Sequence, residues 1–264
     1  MKYYVSFFAA VLLLASCKNE KEETVTEETT VEKPVALSFE NKEYEQKTTL
    51  PGKDPKTYVS ISVPDAVGGS SVVADTINNK IFHVVRSIVY FGEKPTDAKS
   101  YKELMASFIG SYDELAKKYP DDPMSWEAKI KATVDYKTDS IINIKLHNYM
   151  FTGGAHGYEG DRSLLFNART GRSLVYSDIF KDEKAFTAFA EKKFRAKYKI
   201  PAGKPINATG LMFEGEKFAL PQNIFFKENG ILLYYNAYEV AAYAEQQKEV
   251  MIPYSEADAF LKMK

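Results

Sequence analysis

Residues 126–146 read WEAKIKATVDYKTDSIINIKL and define the fold class more clearly than the rest of the chain. Every second residue over 126–136 is apolar, which is the period of a β-strand that buries one face. Residues 138–140, Thr-Asp-Ser, favour a turn, and apolar residues then alternate again over 142–146. The stretch therefore predicts an antiparallel β-hairpin.

Helical spacing is found on both sides of this hairpin. Apolar residues recur at positions i, i+3, i+4 and i+7 over residues 73–88 and 101–119, and Pro120 ends the second run. A third helix is predicted at 186–194, where Asp182-Glu183 complement the dipole at its start. A short helix is predicted at 255–262.

Further strands complete the pattern, and two of them flank the hairpin signal Asn229-Gly230. They are predicted at residues 37–50, 58–63, 164–166, 224–226, 231–235 and 250–252. Helices that are segregated from strand hairpins favour an α+β fold over an alternating parallel one. We therefore predict antiparallel sheets with helices packed on one side, arranged as two interlocked lobes. These correspond to an N-terminal domain at 36–160 and a C-terminal domain at 161–264.

The composition narrows the classes of function. The net charge of the 264-residue chain is −1, so the sequence carries no basic footprint for nucleic acid, and none is expected as a partner. Cys17 is the only cysteine, which excludes a disulfide within the chain and a thiolate metal cluster. The position of Cys17 is therefore more informative than its reactivity.

The N-terminus has the features of a lipoprotein signal peptide, assigned to residues 1–17. Residues 3–15 form a charge-free stretch that is too short to span a bilayer comfortably. The stretch ends in Leu14-Ala15-Ser16-Cys17, which resembles a bacterial lipobox, so Cys17 is predicted to carry acyl chains such as palmitate that anchor the protein in a membrane. The alternative is an ordinary secretory signal with a chance cysteine.

An acidic flexible tether is predicted at residues 18–35. Residues 18–33 hold six Glu and three Lys with almost no apolar side chain, which is typical of a solvated segment. The expected location is the bacterial cell envelope, with the lipid in the outer membrane and the protein on its periplasmic or surface-exposed face. The sequence does not choose between these faces.

Residues 149–158 read YMFTGGAHGY and form the most distinctive string in the chain. Three glycines in five positions indicate a backbone that turns sharply or approaches another group closely. His156 among them could bond backbone carbonyls, bind a ligand or act as a base. The candidate ligand-binding residues are Gly153, Gly154, His156, Tyr158, Tyr238 and Tyr254.

The sequence gives little support for a catalytic site or a metal site. The chain has three histidines and no His-x-x-x-His pair, and no serine lies in Gly-x-Ser-x-Gly. His83 is expected to pack inside a helix, whereas His147 shares a strand phase with Asn143 and Lys145 and is expected on a solvated face. We therefore assign no catalytic residue, metal or cofactor.

The string at 153–157 resembles the junction of two adjoining domains of unassigned function, found together in the anti-sigma factor RsiV and the peptidoglycan deacetylase PdaC. The similarity continues over residues 166–172, 176–180, 235–244 and 252–255. The chain departs from the family at Ala242, where proline is usual, and at Glu245, where glycine is common. These departures affect the shape of one loop.

The resemblance implies the extracytoplasmic sensing part alone, since the sequence shows neither a sigma-binding part nor a deacetylase domain with metal-binding histidines. In the anti-sigma factor this region binds lysozyme, which suggests lysozyme or a peptidoglycan fragment as the ligand. The expected function is therefore a lipid-anchored binding or sensing module of the envelope. The alternatives are a cell-wall hydrolase that uses His156, which is less favoured, and a structural lipoprotein.

Overall fold

The computed structural model describes residues 36–51, 55–120 and 124–264. The predictions for the signal peptide, Cys17 and the tether fall on residues 1–35 and lie outside the described residues. No helix within the described ranges is long and apolar enough to cross a membrane.

The first lobe is built on a five-stranded sheet. Its strands, in the order β1-β2-β3-β4-β5, are β1 (Ser38–Lys47), β2 (Tyr58–Val67), β3 (Glu127–Lys137), β4 (Ile141–Phe151) and β5 (Tyr158–Asn167). The hairpin predicted at 126–146 is confirmed as β3 and β4. Its turn is held by Thr138, whose side-chain oxygen accepts hydrogen bonds from the backbone N–H groups of Ser140 and Ile141 at 3.2 and 3.1 Å.

One strand pair corrects the sequence prediction. The sheets were expected to be antiparallel, but β2 and β3 are parallel. Two helices, α1 (Ser71–Arg86) and α2 (Tyr101–Lys118), lie between these strands in the sequence. This crossover returns the chain to the end of the sheet where β2 began, and the next strand must then run in the same direction. The α+β class itself is confirmed.

Both crossover helices pack on the sheet through their apolar stripes. Ser100 caps the N-terminus of helix α2, and its side chain accepts a hydrogen bond from the Glu103 N–H at 3.2 Å. The Glu103 carboxylate in turn accepts one from the Lys99 N–H at 2.7 Å, which satisfies a second free donor at the helix start. Trp126 lies in the core below α2, against the rings of Phe108 and Tyr112.

The second lobe contains a smaller antiparallel sheet with the order β6-β7-β8. Its elements are α3 (Tyr176–Ile179), α4 (Glu183–Lys197), β6 (Asn223–Lys227), β7 (Gly230–Tyr235), β8 (Lys248–Pro253) and α5 (Tyr254–Ala257). As predicted, acidic residues begin α4, where the Asp182 side chain accepts a hydrogen bond from the Ala185 N–H at 2.9 Å. Phe186 and Phe194 of this helix are buried in the second core.

The predicted hairpin at Asn229-Gly230 is confirmed, although the glycine serves a different purpose. Gly230 is already the first residue of β7, and a Cβ atom there would lie 2.3 Å from the Ile252 carbonyl oxygen of β8. Close approach of two strands, and not only turn geometry, therefore requires glycine at this position.

The two lobes interlock through β4 and β5. The side chains of Ile141 and Leu165 point from the first sheet to the face opposite α1 and α2, and they pack in the second core. On the same face Asn143 is fully buried, which contradicts the expected solvated position, because the second lobe covers it. Its side-chain oxygen accepts a hydrogen bond from the Phe226 N–H at 2.8 Å, and its amide nitrogen donates one to Ser163 Oγ at 2.9 Å. The boundary predicted after residue 160 falls within β5.

Replacing Asn143 with alanine is expected to destabilise the protein by about 1–3 kcal/mol, because the buried Phe226 N–H loses its acceptor. Urea unfolding measures this change, and Asn41→Ala on the exposed surface of β1 is the control. If both variants unfold at the wild-type urea concentration, the amide does not hold the lobes together.

Candidate functional site

The outer edge of β5 is closed by asparagine side chains from the second lobe. The Asn236 side chain accepts a hydrogen bond from the Asp161 N–H at 2.8 Å and donates one to the Asp161 carbonyl oxygen at 2.9 Å. Asn223 likewise accepts one from the Ser163 N–H at 3.0 Å. These amides satisfy backbone groups that a neighbouring strand would otherwise pair. We call these contacts of Asn236 and Asn223 the amide clip.

Two open clefts lie beside the amide clip. The first, of about 550 Å³, runs along β5 between α1 and the loop after β7. The second, of about 590 Å³, lies between the polar side chains of β4 and β5 and the loop that precedes β8. Asp161, Asn236 and Ala237 contribute to both clefts. The clip therefore forms the wall between them.

Three rings form an aromatic rim beside these clefts. The His156 ring stacks on Tyr243 with centroids 4.9 Å apart and planes 15° apart, and Tyr243 stacks on Tyr238 at 5.2 Å and 29°. Tyr158 and Tyr238 line the first cleft, and Tyr243 lines the second. Three of the predicted residues, His156, Tyr158 and Tyr238, thus lie around the clefts. Tyr243, in the string at 235–244 that carries the family resemblance, lies between His156 and Tyr238 in this rim.

Tyr238 combines exposure with an unfavourable backbone conformation. Its side chain is 54% exposed and its φ is 71°, in the left-handed region that bulky residues rarely adopt. The neighbouring Glu239 carboxylate holds this loop by accepting hydrogen bonds from the Asn236 and Gln222 N–H groups at 2.9 and 2.8 Å. Burial raises the pKa of Glu239, and these two hydrogen bonds oppose the rise. Because strained residues cluster at functional sites, this conformation makes Tyr238 a candidate contact residue.

The glycines at 153–157 produce the sharp turn and the close approach that their spacing predicted. Gly153 and Gly154 have φ values of 105° and 94°, so the backbone turns through conformations that other residues avoid. A Cβ atom at Gly157 would lie 2.5 Å from the Tyr149 ring, so the third glycine permits close approach. His156 Nδ1 lies 2.8 Å from the Gly157 carbonyl oxygen, a contact within the same loop.

Tyr254 lies apart from the other candidates. Its N–H donates to the Asn229 carbonyl oxygen at 3.2 Å, just before β7 begins, whereas Asn236 follows the end of that strand. The Tyr254 side chain packs against the second core and is half-buried. The structure therefore places Tyr254 at the opposite end of the small sheet from the aromatic rim.

A cluster of charges lines the second cleft. The Asp161 carboxylate lies 2.8 Å from Lys145 Nζ and 2.9 Å from His147 Nδ1, and His147 Nε2 lies 3.9 Å from Glu159. Burial raises the pKa of Asp161, but hydrogen bonds from Lys145 and His147 outweigh this effect and hold its pKa below the usual 3.8. His147 is half-exposed, in agreement with its predicted face.

The positions of His83 and His156 decide whether the histidines can form a metal site or a catalytic pair. His83 is exposed on α1, with its Nδ1 3.1 Å from an Arg86 guanidinium nitrogen, so the expected packing inside the helix is wrong. Within the part of the chain that the structure describes, no group of three or more His, Cys, Asp or Glu residues could hold a metal ion. In the same ranges no hydrogen bond or ion pair joins His156 to a carboxylate.

Comparison with known proteins agrees with this architecture. Residues 52–159 match the family model of deacetylase PdaC, and residues 177–255 match that of a protein family of unknown function, DUF3298. A DUF3298 family member from Bacteroides fragilis NCTC 9343 has a similar fold, with 23% identity and a TM-score of 0.64. A DUF3298 family protein from Pseudomonas aeruginosa PAO1 does so with 20% identity and 0.61. Each crystal structure covers 86% of this chain and 94% of its own. No curated protein matches.

The fold and the two matched segments define an envelope-associated protein of the α+β class whose domains are extracytoplasmic. The two matches support the PdaC/DUF3298 type of extracytoplasmic domain family. This confirms the resemblance seen in the sequence.

The charges around Asp161 predict a dependence of stability on pH. Because folding lowers the Asp161 pKa, its contribution is present above pH 3.8 and is lost as the pH falls through the folded-state value. The wild type is therefore expected to lose more stability than Asp161→Asn between neutral pH and about one unit below 3.8. Urea unfolding at each pH measures this, with Asp139→Asn in an exposed turn as the control. Equal losses in wild type and Asp161→Asn would contradict the assignment.

Proposed function

We propose that this protein is a lipid-anchored binding or sensing module of the bacterial envelope, whose ligand contacts the aromatic rim. The observation that carries the proposal is the conformation of Tyr238, an exposed ring on a strained backbone at the lip of an open cleft. Tyrosine offers a large apolar face and a polar hydroxyl with only two side-chain torsions to order, so it is common at the centre of binding surfaces. A rim of stacked rings can thus bind with a small loss of conformational entropy.

Lysozyme and peptidoglycan fragments are the proposed ligands. Lysozyme follows from the family resemblance, and the peptidoglycan fragment is supported by the site itself. Sugar rings present C–H faces that can lie flat on an aromatic ring, while their hydroxyl and amide groups need polar partners. The second cleft offers the Tyr243 ring together with polar side chains such as Gln246 and Gln247. Such a mixture of apolar faces and a few polar groups is typical of small-molecule sites.

The hydrolase alternative depends on a carboxylate beside His156. Its ring instead contacts the Gly157 carbonyl oxygen and Tyr243, as part of the aromatic rim. This arrangement favours a contact role for His156 over proton transfer, since a general base needs a partner that orients it.

Binding is expected to be weakened about tenfold or more by Tyr238→Ala, which removes about 1.4 kcal/mol of binding free energy or more. Isothermal titration calorimetry of the full chain in detergent, with muropeptides and then c-type lysozyme, measures the change. Tyr119→Ala is the matched control, because Tyr119 is 52% exposed and lines neither cleft. Equal affinity of Tyr238→Ala and wild type for the ligand would show that the aromatic rim is not part of the binding site. No heat with either ligand, from folded protein, would overturn the proposed ligands.

The anchor is tested separately at Cys17. Cells that express the wild-type chain are expected to incorporate radiolabelled palmitate into the protein, and Cys17→Ser should lose the label and leave the membrane fraction. Ser16→Ala keeps a small residue before the cysteine and should retain the label. Incorporation of palmitate into Cys17→Ser would show that the acyl chain is attached elsewhere.

A further inference from the structure

The first cleft contains two basic side chains whose charges the protein does not neutralise. Lys80 of α1 and Arg162 of β5 line this cleft, and within the described residues neither forms an ion pair. The acidic side chains of the same cleft are already engaged. Asp161 is paired with Lys145 and His147 of the second cleft, and Glu239 accepts two backbone N–H groups. Among the described residues, two basic side chains and the Glu239 carboxylate of this cleft thus have no oppositely charged partner, which leaves the positive charge in excess.

Asn148 forms part of the floor of this cleft. It is only 3% exposed, yet its side-chain amide forms no hydrogen bond with other described residues. Buried amides are normally paired, and the Asn148 amide opens on the cleft, so water or a bound ligand can supply its hydrogen bonds.

The strand register places the side chains of the floor. Asn148 lies opposite Gly160, which has no side chain to cover it. A Cβ atom at Gly160 would lie 3.1 Å from the Asn236 side-chain oxygen and 3.3 Å from the Tyr158 hydroxyl. Arg162 lies opposite Leu146, diagonal to Asn148 and on the same face of the sheet. The absence of a Cβ atom at Gly160 thus lets Asn236 and Tyr158 pack closely over this position, beside the face that Asn148 and Arg162 share.

The walls of the cleft have a different chemistry from its floor. Tyr158 and Tyr238 lie at one side, and Val84, Leu164 and Val175 add apolar surface. A ligand that matches the whole cleft has a carboxylate for the two cations, an amide for Asn148 and a less polar body for the aromatic and aliphatic walls.

We propose that the first cleft binds a carboxylate-bearing peptide of the cell wall, such as the acidic stem of a muropeptide. Lys80 and Arg162 hold its carboxylates, and the Asn148 amide exchanges hydrogen bonds with its peptide groups. This inference rests on the proposed function and deepens it, since it assigns the peptide of the ligand to the first cleft.

The test compares two forms of one probe. N-acetylmuramoyl-L-alanyl-D-glutamate with free carboxylates, and the same compound with both carboxylates amidated, are titrated into the full chain in detergent. Amidation is expected to raise the Kd about tenfold or more, and added salt should weaken only the acidic form. This comparison uses the wild type alone, so it does not depend on the folding of a variant.

Single-residue variants then test which side chains of the first cleft bind the acidic probe. Lys80→Met and Arg162→Met keep the apolar stems and should each raise the Kd of the acidic probe about tenfold without changing that of the amidated probe. Asn148→Asp places a negative charge on the floor and should prevent binding of the acidic probe. Lys184→Met is the matched control, because Lys184 is an exposed lysine of α4 that does not line the cleft. Urea midpoints verify that each variant is folded.

The outcomes separate this inference from the proposed function. If both forms of the probe bind equally and depend on Tyr238 but not on Lys80 or Arg162, the carboxylate site is wrong and the binding module stands. Binding of lysozyme without binding of either probe would likewise contradict the carboxylate site and support the binding module. If neither the probes nor lysozyme bind, both proposals are overturned.

Discussion

Hydrogen bonds between asparagine side chains and backbone groups hold the two sheets together, and the rest of the architecture depends on them. Strands β5 and β6 lie close but form no ladder with each other, so their facing N–H groups need other acceptors. Asn143, Asn223 and Asn236 supply those acceptors for Phe226, Ser163 and Asp161. An unpaired buried N–H would cost about 1–3 kcal/mol, so each amide also fixes the relative position of the sheets.

The same contacts position the candidate site. Asn236 belongs to the amide clip, and the chain leads from it within two residues to the strained Tyr238. Glu239 then closes this loop through two backbone hydrogen bonds. Hydrogen bonds that involve a charged group contribute about 1.5–3 kcal/mol each, comparable to the roughly 1–3 kcal/mol that a left-handed residue costs. The loop can therefore hold an aromatic ring in a strained conformation without loss of order.

Local periodicity predicted most elements of the fold, since burial of one face leaves a period of 2 or 3.6 in the sequence. It could not predict that β2 pairs with β3 in parallel, because that pairing depends on the path of two intervening helices. The alternation of β4 placed Asn143 on the same face as His147, but the sequence does not show that a second sheet covers that face and buries Asn143. Glycine spacing identified the loop at 153–157. Tyr243 joins His156 only through contacts distant in sequence, so periodicity could not identify it.

The separation of charges between the two clefts follows from the position of Asp161 in the wall they share. Its carboxylate is directed to Lys145 and His147, and its backbone is held by Asn236. The negative charge of Asp161 is thereby paired on the side of the second cleft, and Lys80 and Arg162 lie on the other side, where Glu239 is the remaining carboxylate. Because successive side chains of a strand point to opposite faces of its sheet, the Asp161 carboxylate is directed away from the face that carries Arg162. The contacts that join the lobes thus also determine the charge that each cleft presents.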